Sequence, residues 1–262
     1  MNEQNFQIEF TSFKNELTSF IFRLVTNKQD AEDLVQDSYI KATINLNSYN
    51  SEKASLKTWI FTIALNTAKN HLKKMKKWGE NDLTICQEYH SNSPERMEEI
   101  GNVFQSTPDA RFEMKEHLDY CFTCITKTLN LTQQICLLLK EVYGFKQDEI
   151  IKITDLSEGK IKHGIVDARK NMKRIFENRC ALINKNGVCN QCTSLNGVFN
   201  PEQNAHIKAK ELKLSTTQDP ERLLDLRLEL VSNTDPLNGS SNLHTFFIEN
   251  IPTWVETAQK QN

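Results

Sequence analysis

Residues 146–174 read KQDEIIKITDLSEGKIKHGIVDARKNMKR, and their spacing decides how the chain folds and what it touches. A short amphipathic segment, Gln147 to Thr154, is followed by a tight polar turn, Asp155 to Gly159, and then by a longer basic segment. In that last segment Ile161, Ile165, Ala168, Met172, Ile175 and Phe176 recur at the three- and four-residue steps of one helix face. Short helix, turn and longer helix is helix-turn-helix spacing, in which the second helix enters a major groove and the first braces it. Ser157 is placed to cap the second helix, because its hydroxyl can accept from an otherwise unsatisfied backbone amide. Lys160, His163, Lys170 and Arg174 fall on one outward face with Lys162 and Lys173 beside them. Together with Arg169 and Ser157 they are the candidate DNA contacts of this helix. The plain alternative is a solvated basic helix in an α-bundle.

Working outward, the same period recurs on both sides. Leu118, Cys121, Phe122, Ile125 and Leu129 form one stripe, Ile135, Leu138, Leu139 and Val142 the next, and Tyr143-Gly144-Phe145 a turn. Residues 78–110 lose periodicity and carry Asn, Ser, Glu, Pro94 and Pro108, which predicts a linker. Before it lie three helical stretches. Phe10, Phe13, Leu17, Phe20, Ile21 and Leu24 share a face; Ala31, Leu34, Val35, Tyr39 and Ala42 share another; Leu56, Trp59, Ile60, Ile63 and Ala64 a third, running on into Lys73–Lys77. The expected fold is all-α: two small helical domains, 1–77 and 111–178, joined by the linker and followed by an extension, 179–262. In that extension the alternation of Leu224 to Leu230 fits a strand, whereas Asp219-Pro220-Glu221 fits a helix start, and the pattern leaves both open.

Composition agrees with a soluble globular protein. The 262 residues are 38% hydrophobic and 25% charged, and a net charge of −2 hides a segregation into an acid-rich 1–50 and basic stretches at 53–77 and 160–179. No apolar run approaches the roughly 20 residues needed to span a bilayer, and Met1-Asn2-Glu3-Gln4 lacks the basic start of a secretion signal. The expectation is therefore a cytoplasmic chain, not associated with membrane, whose seven cysteines are mostly reduced.

Two further constellations stand in the N-terminal part. Asp30, Asp33 and Asp37, with Glu32 and Gln36, make an acidic stripe that is either a solvated face or a docking site for a basic partner. The polar loop from Asn45 to Ser55 leads into a helix bearing Trp59, Asn66, Lys69, Asn70 and Lys73. Aromatic and amide groups beside a cationic track suit unstacked bases, although Trp59 alone reads more simply as core.

These blocks carry a resemblance. Residues 30–42, DAEDLVQDSYIKA, look like the region-two motif of extracytoplasmic-function (ECF) sigma factors of the sigma-70 family. Residues 56–70, LKTWIFTIALNTAKN, follow at that family's spacing, and residues 131–176 resemble its region four. The resemblance implies a transcription-initiation subunit rather than an enzyme, with core RNA polymerase and promoter DNA as partners and an anti-sigma factor as a candidate third. It assigns Asp30, Glu32, Asp33, Gln36 and Asp37 to the polymerase. Tyr49, Asn50, Ser51, Trp59, Asn66, Lys69, Asn70 and Lys73 go to the −10 element. The helix beginning at Ser157 reads the −35 element. Gly164 and Asp167 stand where the family often has arginines, which predicts weak intrinsic binding or an unusual promoter.

Cys180, Cys189 and Cys192, with His206, are candidate ligands for zinc or another metal, since thiolates at C-x2-C spacing can meet around a tetrahedral ion. Three reduced thiols are the plain reading, and nothing requires a cofactor. A stand-alone helix-turn-helix regulator gated by metal or redox at these cysteines is the competing function. An enzyme within 177–262 has no nucleophile–base or carboxylate pair to support it.

Overall fold

A computed structural model describes residues 1–75, 93–105, 114–179, 219–238 and 242–261, with isolated positions 79, 81, 82, 85, 207 and 210–212. Every regular element among the described residues is helical. They are α1 (Glu3–Val25), α2 (Lys28–Ile44), α3 (Leu56–Leu72), α4 (Pro94–Gln105), α5 (Met114–Thr126), α6 (Leu131–Leu137), α7 (Gln147–Thr154), α8 (Glu158–Arg179), α9 (Pro220–Ser232) and α10 (Asn242–Gln261). A π turn, Leu138–Val142, extends α6.

The chain divides into two compact units. The first takes residues 1–76, 130–168 and 235–237, so the N-terminal bundle and the helix-turn-helix fold together. Its helices start where side chains satisfy the first amides: Asn2, Asn27, Ser55 and Asn130 each accept from the backbone N–H three residues on. The expected stripe of α1 is buried throughout, and Leu34, Val35, Leu56, Ile60, Phe61 and Ala64 close over it. Aromatic rings join the bundle to the helix-turn-helix. Phe20 lies 5.4 Å from Phe61 and 5.4 Å edge-on from Tyr143, and Phe61 lies 4.8 Å from Phe145. Tyr143 and Phe145 come from the predicted turn, whose Gly144 takes φ +67°. Glu149 fixes α7 twice: one carboxylate oxygen accepts from the Lys146 amide at 2.9 Å, the other from the Thr58 hydroxyl of α3 at 3.2 Å.

The second unit comprises residues 77–129, 169–234 and 238–262. It contains α4, which lies inside the stretch read as a linker, together with α5, the second half of α8, α9 and α10. In the extension the leucine-rich run resolves as helix. Asp219 caps it by accepting from the Glu221 amide at 3.1 Å and Pro220 occupies the first turn, where its missing N–H costs nothing. Leu224, Leu228 and Val231 are buried on one face together with Arg227. The Arg227 guanidinium lies 4.1 Å over the Phe176 ring, and the helical period thus accounts for a pattern that alternation alone mimics.

Candidate nucleic-acid interface

On α2, burial of Ala31, Leu34, Val35, Ser38 and Ala42 forces the opposite side outward. Glu32, Asp33, Gln36 and Asp37 are all exposed, so four of the five candidate polymerase contacts form one continuous row. Asp30, the fifth, is half-buried, with its Oδ2 3.3 Å from His71 Nε2 of α3. Sequence reasoning missed the continuation of this row: Ile40 and Ile44 are 47% and 75% exposed. Apolar residues falling outside the buried stripe of a helix were the signal.

The −10 candidates occupy the loop before α3 and the end of that helix. Asn50 Oδ1 accepts from the Glu52 amide at 2.8 Å and so shapes the loop, while Asn50 and Ser51 stay exposed. Tyr49 and Trp59 are half-buried against one another, ring centres 5.2 Å apart. Burial, and secondarily the Glu9 carboxylate, raise the Tyr49 phenol above its ordinary pKa. One turn and more beyond Trp59, Asn66, Asn70 and Lys73 are exposed, with Lys73 Nζ 3.4 Å from Asn70 Oδ1. Lys69 is half-buried. Helix α3 ends at Leu72, and Lys73 to Met75 continue it only as turns.

On α8, Ser157 caps as its position predicts, its Oγ 3.4 Å from the Lys160 amide. Lys160, Lys162, His163, Lys170 and Arg174 are exposed. Lys162 reaches back one turn to Glu158 at 2.6 Å, and this hydrogen bond lowers the Glu158 carboxyl pKa. Arg169 and Lys173 differ from the rest: both are only partly exposed, and both pair with acids of α9. Those acids, Glu221 and Asp225, are the partners that sequence reasoning missed. Their signal was a pair of carboxylates one turn apart behind the Asp219-Pro220 helix start.

Gly164 corrects an expectation. It is buried, and a Cβ built there would meet Cys136 Sγ at 3.6 Å, so it faces the core of the helix-turn-helix and not DNA. An arginine at this place would point into packing. Asp167, by contrast, is exposed within the basic face, where a carboxylate opposes phosphate.

The candidate metal ligands Cys180, Cys189, Cys192 and His206 lie outside the described residues. Among the described residues no group of three or more His, Cys, Asp and Glu side chains is arranged to hold a metal ion. Cys136 is buried beside Gly164, and burial pushes its thiol up to about 11, with the Lys69 charge opposing. No helix among the described residues is long and apolar enough to cross a membrane.

The geometry is therefore an acidic row on one helix, an amide and lysine patch on a second, and a basic helix-turn-helix. Known proteins resemble the chain in sequence. The sigma-70 region 2 family model matches residues 10–78, the span of the α1–α3 bundle. The ECF RNA polymerase sigma factor SigX of Bacillus subtilis (strain 168) is 26% identical over 181 residues, covering 67% of this chain and 87% of the relative. The ECF RNA polymerase sigma-E factor of Salmonella typhimurium (strain LT2) is 27% identical over 170 residues, covering 64% of this chain and 85% of the relative. The SigM factor of Bacillus subtilis (strain 168) is 25% identical over 170 residues, covering 64% and 92%. These matches span most of each relative and leave about a third of this chain, 33% beside SigX, outside them. The chain is thus similar over residues 10–78 to sigma-70 region 2, and over about two thirds of its length to RNA polymerase sigma factors of the extracytoplasmic-function group.

Proposed function

We propose that this chain binds core RNA polymerase, carries it to promoters and starts transcription there, acting by binding and not by catalysis of its own. The observation that carries this reading is the coincidence of the region 2 match with the α1–α3 bundle, whose α2 presents an exposed acidic row. In this reading Asp30, Glu32, Asp33, Gln36 and Asp37 meet a basic surface of the polymerase. Tyr49, Asn50, Ser51 and Trp59, with Asn66, Lys69, Asn70 and Lys73, receive the unstacked −10 strand, for which aromatic faces and cations are the suited chemistry. Helix α8 offers Lys160, Lys162, His163, Lys170 and Arg174 to a major groove at the −35 element, Ser157 at its start, and Arg169 and Lys173 behind.

The site of action is the cytoplasm, where polymerase and DNA are. An anti-sigma factor would compete for the same α2 and α8 surfaces. No step of this reading runs through a metal, and Cys180, Cys189, Cys192 and His206 enter it only as candidate ligands of a zinc-dependent control.

The test is co-purification with bacterial core polymerase followed by run-off transcription on genomic fragments. Association and discrete, chain-dependent start sites are expected. Failure to associate, with DNA binding retained, would overturn the reading in favour of a stand-alone helix-turn-helix regulator.

A further inference from the structure

Helix α9 meets the basic helix α8 through opposed charges. Arg169 Nη2 lies 2.5 Å from both Glu221 Oε1 and Asp225 Oδ1, and Arg169 Nε donates to Glu221 Oε1 at 2.9 Å. Lys173 Nζ pairs with Glu221 Oε2. The two cations stand four residues apart on α8 and the two acids four apart on α9, so one helical turn of each faces one turn of the other. The arrangement is held by packing rather than by the charges alone. Leu224, Leu228 and Val231 are buried on α9, which packs on α5, and the Arg227 guanidinium covers Phe176 of α8. Lys173 first and Arg169 second hold the Glu221 carboxyl below its ordinary pKa.

Carboxylates set one turn apart offer these two cations what neighbouring phosphates offer in DNA. The ion pairs remain partly open to water, with side-chain exposures of 19% for Arg169, 29% for Lys173 and 44% for each acid. Pairs this exposed hold weakly and exchange readily for another anion. The other cations of α8 lie exposed on the adjoining face. We propose that α9 is a built-in competitor for promoter DNA: Glu221 and Asp225 occupy Arg169 and Lys173, and full engagement of α8 with DNA requires that these acids be displaced. This rests on the assignment of α8 as the −35 reader.

The device is tested on the full chain with Glu221→Gln and Asp225→Asn combined, which preserve shape and remove charge. The probe is a short fluorescent duplex of random sequence, titrated over a series of salt concentrations. Each phosphate newly neutralised adds about 0.9 to the slope of log affinity against log salt. The variant should bind more tightly at low salt and show a slope steeper by about 1.8. Adding Arg169→Ala and Lys173→Ala should abolish that gain, and the same two alanines should cost more affinity in the Gln/Asn background than in the unaltered chain. An unchanged or weakened affinity in the Gln/Asn variant, or equal effects of the alanines in both backgrounds, overturns the proposal. Should the double variant unfold, Glu221→Gln alone removes the acid shared by Arg169 and Lys173, and a slope no steeper than that of the unaltered chain overturns it equally. Core-polymerase pull-down of the unaltered chain, run in parallel, reports on the sigma reading separately; a flat DNA response with intact pull-down removes the competitor and leaves the sigma factor.

Discussion

Tyr143 and Arg23, 120 positions apart, meet through a hydrogen bond of 3.1 Å from the arginine Nε to the phenolic oxygen. Arg23 is fully buried, and the same hydroxyl meets Ser19 Oγ at 2.9 Å. One turn residue thereby supplies a partner for a buried cation of α1 and fastens the helix-turn-helix to the bundle. Gln134, donating to the Arg23 carbonyl at 3.0 Å, adds a second tie between the same elements.

Tyr143→Phe should therefore destabilise the first unit. The ring stays, so its contact with Phe20 persists, but a hydrogen bond to a buried charge is lost, at a cost of about 1.5–3 kcal/mol. Urea unfolding should show a lower midpoint with an unchanged slope. A loss below about 0.5 kcal/mol would mean that Arg23 draws its satisfaction elsewhere.

Reversal of charge on α2 addresses function without touching the core. Asp33 and Asp37 are exposed, so Asp33→Lys combined with Asp37→Lys should leave the thermal midpoint within a few degrees of the original. Polymerase association should be abolished, because two attractions become two repulsions at the docking face. Retained association would reject this face as the docking site.

How much of this was legible in sequence depends on the range of the interaction. The stripe Phe10 to Leu24, the Ser157 cap and the short helix Gln147–Thr154 were readable because each is set by neighbours within a turn or two. The Leu224–Leu230 run was ambiguous because seven residues of alternation satisfy a strand as well as a helix whose buried face includes Arg227. The contacts of Tyr143 with Arg23, and of Arg169 with Glu221 and Asp225, were not readable, since each joins side chains at least 52 positions apart and no local period records them. Candidate site residues were found as charges, yet sequence could not say that Arg169 and Lys173 are already paired with the acids of α9. Gly164 misled for the same reason: that its neighbour is Cys136, across the helix-turn-helix, is a tertiary fact.

Gly164 offers a direct test of that correction. A Cβ there meets Cys136 Sγ at 3.6 Å and Cβ at 3.7 Å, which is ordinary contact. Gly164→Ala should then be neutral or stabilise α8 by up to about 1 kcal/mol, the propensity difference within a helix. Gly164→Arg should instead cost more than about 2 kcal/mol, because a long charged side chain must be forced against a packed thiol. If the arginine variant were as stable as the original and bound DNA more tightly, the position would face DNA after all.

The last prediction concerns His117 of α5 and His244 of α10, whose ring nitrogens Nδ1 and Nε2 lie 3.3 Å apart, with the Tyr120 ring stacked 4.7 Å from His244. Burial pushes the His117 imidazole down to about 4. Burial first, and the neighbouring His117 second, push His244 well below its ordinary value. Both rings are thus neutral in the folded unit at pH 7, one donating a proton to the other's lone pair, whereas in the unfolded chain they titrate near 6.5. Since the folded pKa is the lower, the unfolded chain binds more protons at acid pH. The stability contributed by neutral burial is complete above about pH 6.5 and is lost as pH falls towards about 4. Each histidine should contribute a slope of about 1.4 kcal/mol per pH unit once well below 6.5. Carboxylates titrate mainly below about pH 5, so the interval from 6.5 to 5 reports chiefly on histidine, and the double variant below singles out the pair. Urea midpoints followed by tryptophan fluorescence, Trp254 lying in α10, should decline with pH across that interval. A variant carrying His117→Gln and His244→Gln should show a flat profile there. If the original chain were equally flat, the two rings would have to be accepting protons without leaving their packing, and the neutral pair would not be what holds α5 against α10.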